Sequence, residues 1–487
     1  MRHCLRPAGT ALVVTLLSAC SVVGPNYQLP EQAQINRPEH QGEFSAVDAQ
    51  AVVSAPLPAD WWRLYDDPAL NDLVQQALVT NSELRVAAAN LARARAELGE
   101  ANARGGFEAS ASAGVERTQV SGEAYLLEDK VPVANIADAG INLSYQFDLF
   151  GTLQRGIEAA QADAEATQAA ADTARITVVA DVVRAYAQIC AANEERAIAE
   201  HSLALQQQSL ELAQRLHAAG RGTLPAVTRS ETQFKSLRAE LPRFEAERQS
   251  GIFQLAMLLG EDAGSLPSNV TQCDSLPQLA QRLPVGDGTA LLKRRPDIRQ
   301  AERQLAAATA RIGVATGELY PTISLGASTG LTGIAEHLGQ PATQHWGIGP
   351  LISWTLPANG ARQRVQEAQA SSQAALARFD GVVLNAVRET ETGLARYSAA
   401  LETRDALVEA QRSAKVSAEQ THRFFIAGRE SALADLAAAR VLSTTHAQLA
   451  DAQAQVAMAQ IDLFLALGGG WQKEDEQQTS TVRTTTP

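Results

Sequence analysis

Residues 151–224 read GTLQRGIEAAQADAEATQAAADTARITVVADVVRAYAQICAANEERAIAEHSLALQQQSLELAQRLHAAGRGTL, without one proline. A second proline-free stretch covers residues 358–486. Both are rich in Ala, Gln, Glu and Arg. Both carry an Ala-Gly-Arg break, at Ala219-Gly220-Arg221 and Ala427-Gly428-Arg429. Proline costs about 3 kcal/mol inside a helix and alanine costs least, so the stretches read as long helices. Gly151 to His217 as one helix would run about 100 Å, at about 1.5 Å per residue. A helix of that length cannot fold back into an ordinary compact domain. It packs lengthwise against others or helps to build a tube.

Outward from this stretch, the chain reads as two copies of one unit. After the first break a second helix, Ala226 to Leu259, ends at Leu259-Gly260. Before Gly151, Ile141, Leu143, Tyr145 and Phe147 alternate with Asn142, Ser144, Gln146 and Asp148, the period of a strand with one apolar and one polar face. An upstream strand of small residues starts at Phe107, and the loop between is Arg117 to Ala137. Further upstream, Asp67-Pro68 is a helix start with proline at the first helical position. Helical runs follow it, with a second at Ser82 to about Arg104. In the second copy, Pro296-Asp297-Ile298-Arg299 sets against Ser82-Glu83-Leu84-Arg85. In that register Ala87, Leu91, Ala92, Ala94, Ala96 and Gly99 meet identical residues at Ala301, Leu305, Ala306, Ala308, Ala310 and Gly313. The second strand pair puts Ile323, Leu325 and Ala327 on one face. Its partner strand offers Trp346, Ile348, Ile352 and Trp354. Gly428 answers Gly220, and Gly468 answers Gly260.

The N-terminus is basic at Arg2 and Arg6. It continues with an apolar run, Ala8 to Leu17, too short to span a membrane as a mature helix. Its end, Leu17-Ser18-Ala19-Cys20, resembles a bacterial lipobox, which implies cleavage before Cys20 and lipid on its thiol. Ser21 rather than Asp in the next position points, by the same resemblance, to the outer membrane. Two cysteines remain in the body of the chain. Cys190 reads as a buried thiol in an apolar helical context and Cys273 lies in a loop. A disulfide between them is open in an oxidising compartment. The organisation reads as signal peptide 1–19, lipidated tether 20–60, first repeat 61–260, equatorial linker 261–294, second repeat 295–469 and tail 470–487. The strand pairs fall at about 107–117 with 138–148, and 321–331 with 345–356.

Four amphipathic strands cannot close a barrel, since membrane barrels begin at eight. An open edge in lipid leaves backbone groups unpaired at several kcal/mol each. If the strands are in a membrane, several chains share one barrel. Aromatics at Tyr145, Phe147, Trp346 and Trp354 suit a lipid-facing surface.

The chain resembles the outer-membrane factors of tripartite efflux systems, the TolC-like family in its lipidated OprM-like or NodT branch. The residues that carry the match are Cys20, Val23-Gly24-Pro25-Asn26-Tyr27, Trp61 through Leu70, Asp148-Leu149-Phe150-Gly151, Arg294-Arg295-Pro296-Asp297-Ile298 and Leu319-Tyr320-Pro321. The resemblance implies a mainly α fold with a β-barrel portion. In it a homotrimer gives a twelve-strand barrel and a helical tunnel through the periplasm. It implies a periplasmic adaptor (membrane fusion) protein and an inner-membrane pump of the RND type as partners, with outer-membrane lipid around the barrel. The hairpin tips at Gly220, Arg221, Gly428 and Arg429 would meet the adaptor. The second tip would narrow the tunnel, with Leu433 and Arg440 in the constricting positions. The family's Asp one turn before that Arg is Ala437 here. Asp435 lies nearby but about 200° around a helix of 3.6 residues per turn.

Composition sets bounds on other readings. A net charge of −13 argues against nucleic acid, which calls for a basic face. The eight histidines form no His-x-x-x-His pair, and no Cys-x-x-Cys spacing marks a metal site. Gly468-Gly469-Gly470 is a helix terminator rather than a phosphate loop. No catalytic residues and no cofactor are expected beyond the N-acyl and S-diacylglycerol groups on Cys20. The competing reading is a non-channel periplasmic lipoprotein that uses long coiled hairpins as a scaffold or adaptor.

Overall fold

The structure is a computed structural model, and it describes residues 22–45, 51–123, 126, 128–279, 281–356 and 359–469. Cys20 and the tail from Gly470 lie outside the described residues. In chain order the elements are β1 (Val52–Val53), α1 (Pro68–Thr80), α2 (Ser82–Ala103), β2 (Phe107–Thr118), β3 (Ala134–Phe147), α3 (Thr152–Ala218) and α4 (Leu224–Leu259). Then come α5 (Ser268–Thr271), β4 (Leu283–Pro284), α6 (Gly288–Arg294), α7 (Pro296–Gly317), β5 (Thr322–Ile334), β6 (Gln344–Ser353), α8 (Ala361–Ile426) and α9 (Ala432–Ala466). Among the described residues no helix is long and apolar enough to cross a membrane. The chain divides into two compact units, and each draws segments from both sequence repeats.

Among the described residues, the first unit takes 22–30, 90–167 and 300–379. Its centre is an antiparallel four-stranded sheet in the order β2-β3-β5-β6. Register fixes the two faces. Phe107, Ala109, Ala111, Ala113 and Val115 sit opposite Tyr145, Leu143, Ile141, Ala139 and Ala137. The apolar row continues through Leu325 and Ala327 on β5 to Pro350 and Ile348 on β6. β3 and β5 run further than the sequence pattern suggested, while β6 stops at Ser353 rather than near 356. β3 begins at Ala134 rather than near 138, because Arg117 and Thr118 still pair with Asn135 and Ala134. Polar side chains in both strands hide this extension from a hydrophobic-alternation reading.

Among the described residues, the second unit takes 31–89, 168–299 and 380–469. Its core gathers Trp61, Trp62 and Tyr65 with Val179, Val183, Ile189, Leu255, Leu259, Ile461 and Phe464. Trp61 stacks on Phe464 at 4.4 Å between ring centroids. Asp67 caps α1 by accepting from Ala69 N at 2.9 Å and Leu70 N at 3.1 Å, and Tyr186 on α3 donates to its other oxygen at 3.0 Å. The motif Arg294-Arg295-Pro296-Asp297 ties down the end of α9. Arg295 Nη1 donates to Ala466 O at 2.7 Å, and its Nη2 reaches Asp297 and Glu389. Arg294 Nε donates to Leu467 O at 3.0 Å.

Two sequence readings need correction here. Cys190 is not a free thiol. It is bonded to Cys273, with 5.0 Å between the α-carbons, and Asn193 Nδ2 donates to the carbonyls of Thr271 and Cys273. The linker is thereby stapled to α3, and β4 within it pairs in parallel with β1. The stretch read as a tether is docked rather than loose. Ala33 is fully buried, Gln34 N donates to Asp380 at 2.8 Å, and Ser45 N donates to Glu391 at 2.8 Å. Irregular polar sequence hid this, because its contacts are backbone donors meeting distant carboxylates.

Candidate functional site

The two helical hairpins of the second unit turn in the same way. At the first, Gly220 is left-handed at φ +68°, Gly220 N bonds His217 O, and Arg221 N bonds Leu216 O. At the second, Gly428 has φ +70°, Gly428 N bonds Phe425 O, and Arg429 N bonds Phe424 O. Both are Schellman caps, which need a residue free to adopt positive φ. Gly260 and Gly468 cap α4 and α9 in the same manner. The cap leaves Arg221 and Arg429 exposed at equivalent positions.

The tips differ in what they present. Leu216-His217-Ala218 at the first is Phe424-Phe425-Ile426 at the second. Ile426 is 72% exposed, with Phe424 and Leu433 about half exposed beside it. This apolar group was missed in the sequence reading. Its signal was an aromatic pair directly before a helix break, where the sister tip has a histidine.

Leu433, Asp435 and Arg440 lie on the first turns of α9, whose start is capped by Ser431 accepting from Ala434 N at 3.1 Å. Leu433 and Arg440 fall on one side of the helix, since seven residues make nearly two turns. Asp435 faces elsewhere, and the structure does not bring it to Arg440. It meets His422 of α8, with Nδ1 and Oδ2 3.1 Å apart. Arg440 crosses to the first hairpin. Its Nη1 donates to Gln233 Oε1 at 2.9 Å and Gln206 Oε1 at 3.2 Å. Gln206 is 1% exposed and donates in turn to the carbonyl and hydroxyl of Ser230, both at 3.0 Å. Ser202 and Ser443 meet at 2.5 Å across the same pair of hairpins. Three helices are therefore joined by one buried amide.

Farther along α3, burial raises Glu195 to about 7. Glu247 on α4 and Asp451 on α9 push the same way, Arg243 partly offsets them, and Glu194 adds to the rise. Among the described residues no group of His, Cys, Asp and Glu is arranged to hold a metal ion.

The sheet of the first unit supplies the other functional surface. On its polar face lie Glu108, Ser110, Ser112, Asn142, Ser144, Gln146, Ser324 and Ser328 by register. Glu116 and Asp138 lie on it too, and His345 is across from Gly330. The opposite face is apolar and exposed, with Trp346 at 79% and Ile348 at 68%. At one end of the sheet Phe107, Tyr145 and Phe147 touch in sequence, at 4.9 and 5.2 Å between centroids. An exposed apolar face bounded by aromatics suits lipid, and the polar face suits water.

The sequence matches the outer membrane efflux protein family over residues 73–261 and 289–469. The chain belongs to that family. It is 30% identical over 460 residues to nodulation protein T of Rhizobium leguminosarum bv. trifolii, covering 94% of this chain and 96% of that one. It is 30% identical to outer membrane protein OprJ of Pseudomonas aeruginosa, covering 95% of each. The outer-membrane channel OprN superposes with a TM-score of 0.82 at 32% identity, covering 93% of this chain and all of that one. The fold is therefore that of the TolC-like channels, mainly helical with strands for a barrel, and the efflux protein is an outer-membrane channel component whose helices extend into the periplasm.

Proposed function

We propose that three copies of this efflux protein build one duct, through which cargo delivered by an inner-membrane pump of the RND type and a periplasmic adaptor leaves the cell. The observation that carries this is the open sheet. β2 and β6 each pair on one side only within it, and one face is apolar. Twelve residues at about 3.4 Å, tilted by about 40°, cover the apolar band of about 25–30 Å in an outer membrane. Unpaired edges in lipid cost several kcal/mol per group, so neighbouring copies must supply the missing pairs. Three copies give twelve strands.

In this reading the organisation is signal peptide 1–19, lipidated segment 20–60, repeats 61–260 and 295–469 joined by 261–294, and a tail from 470. Cys20 carries the N-acyl and S-diacylglycerol groups. No residue acts as a catalyst. The second tip is the gate. Leu433 narrows the duct, Arg440 holds the second hairpin against the first through Gln206 and Gln233, and Asp435 braces the tip internally through His422. Gly220, Arg221, Gly428 and Arg429 form the surface that meets the adaptor.

The test is the native mass of the detergent-extracted protein together with the lipid mass of its N-terminal peptide. A trimer acylated on Cys20 is expected. A soluble, unacylated monomer would overturn the reading.

A further inference from the structure

α2 runs into β2 and α8 leaves β6, so these two helices adjoin the two open edges of the sheet. Both are thinly covered. Among the described residues, α2 buries only Ala94, and α8 buries none of 362–378. The repeat counterpart of α2 differs. In α7, Ala301, Leu305, Ala306 and Ala310 are buried, while the identical residues Ala87, Leu91, Ala92 and Ala96 of α2 are not. α7 owes its cover to α3. Arg303 reaches Glu165 at 3.2 Å, Arg311 reaches Asp163, and farther along Arg299 reaches Asp172. The start of α3 crosses α7 at Gly313, where a Cβ would come within 2.6 Å of Arg155 Cγ.

Gly99 has no such cause within its own copy. It lies inside α2, where glycine costs about 0.5–1 kcal/mol relative to alanine. Nothing lies within 4 Å of where its Cβ would be. In the repeat it answers Gly313. Arg155 makes Gly313 necessary, and the start of α8 repeats that arginine's surroundings. Gln363-Arg364 with Glu367 stands there for Gln154-Arg155 with Glu158. Arg364 is half exposed and bound in its own copy to Glu318. One rung of the charge ladder repeats as well. Arg85 answers Arg299, and Asp380 stands as far before Gly428 as Asp172 stands before Gly220. Arg85 is exposed and makes no side-chain bond among the described residues. Asp380 accepts from Gln34 N with Oδ1, and its Oδ2 has no partner among them. The other two rungs are not repeated, since Ala89 and Glu97 stand where α7 has Arg303 and Arg311. We propose that α2 of one copy seats on α8 of the next as α7 seats on α3 within a copy. In this seam Arg85 pairs with the neighbouring copy's Asp380, and Gly99 takes the stem of the neighbouring copy's Arg364. The occupant of both bare flanks is then a second copy of this chain, in line with the pairing of β2 to the next copy's β6. This rests on the reading that the copies share one duct.

The test follows the native mass of the detergent-extracted full chain over a dilution series. The parent is expected as a trimer. Arg85→Glu should raise the concentration at which half of the trimer has dissociated by about tenfold or more, as the loss of a charged interface contact does. Adding Asp380→Arg should restore most of that loss. Gly99→Leu should lose the trimer while helical circular dichroism holds, because a side chain there meets nothing in its own copy. A parent trimer that either Arg85→Glu or Gly99→Leu leaves undiminished would overturn the seam. So would an Arg85→Glu defect that Asp380→Arg does not restore. A parent without any trimer would instead refute the shared duct, and the proposal with it.

Discussion

At Arg440 a buried amide does what a carboxylate does in an ion pair. The guanidinium is held by Gln206 and Gln233, and among the described residues no carboxylate pairs with it. The latch is therefore insensitive to carboxylate protonation. Arg440→Ala and Leu433→Ala should each raise single-channel conductance in planar bilayers, and the double variant more than either. Unchanged conductance in both single variants would remove these residues from the gate. Glu195 behaves differently. Its folded-state value, about 7, lies above the ordinary carboxyl range, chiefly through burial and then through Glu247 and Asp451. The folded chain thus holds this proton more tightly than the unfolded chain. The stability this group contributes is present below the ordinary value and is lost as pH rises through about 7. Glu195→Gln should leave melting at pH 4 nearly unchanged and stabilise the protein at pH 8. With the group only partly buried and so screened by solvent, the gain is about 1 kcal/mol. A melting curve of the detergent-solubilised protein at both pH values checks it.

Between elements, three devices fix how the helices end and what holds them. The paired Schellman caps end α3 and α8 alike, and they put Arg221 and Arg429 at matching tips. Reversing both charges, Arg221→Glu with Arg429→Glu, should weaken chemical cross-linking to the adaptor while the yield of trimer holds. Intact cross-linking would count against the tips as that surface. The Cys190–Cys273 bond closes a loop of 83 residues between α3 and the linker. Removing such a bond costs about 2–5 kcal/mol. Cys273→Ser should therefore lower the melting point and open the linker to protease before the helices are cut. Arg295 is the third device, since it satisfies the Ala466 carbonyl at the end of α9 and two carboxylates together. Arg295→Met leaves those groups without their buried partner and should cost about 2–3 kcal/mol, read by denaturant titration.

For the whole molecule, register decides what the duct's wall offers to cargo. Each copy places Glu108, Glu116 and Asp138 on the polar face of its sheet, with His345 as the one titratable base among the paired strand positions there. Three copies would line the barrel with carboxylates and almost no opposing charge. Glu108→Gln with Asp138→Asn should reduce the preference for cations, seen as a shift of reversal potential toward zero in a salt gradient. An unshifted potential would place selectivity elsewhere in the duct.

The sequence by itself determined the long helices, the strand pairs, the duplicated plan and the glycine breaks. All of these rest on local rules of propensity, alternation and capping, which act over a few residues. Even the separation of Asp435 from Arg440 could be read from helical periodicity. The tertiary structure decided the partners. Nothing local joins Arg440 to Gln206, Cys190 to Cys273, Arg155 to Val23 or Gln34 to Asp380, because each pair is remote in sequence and meets only when helices are packed side by side. The same reason hid the docking of residues 22–45. A segment with no period of its own takes its conformation from the surface that it lies on.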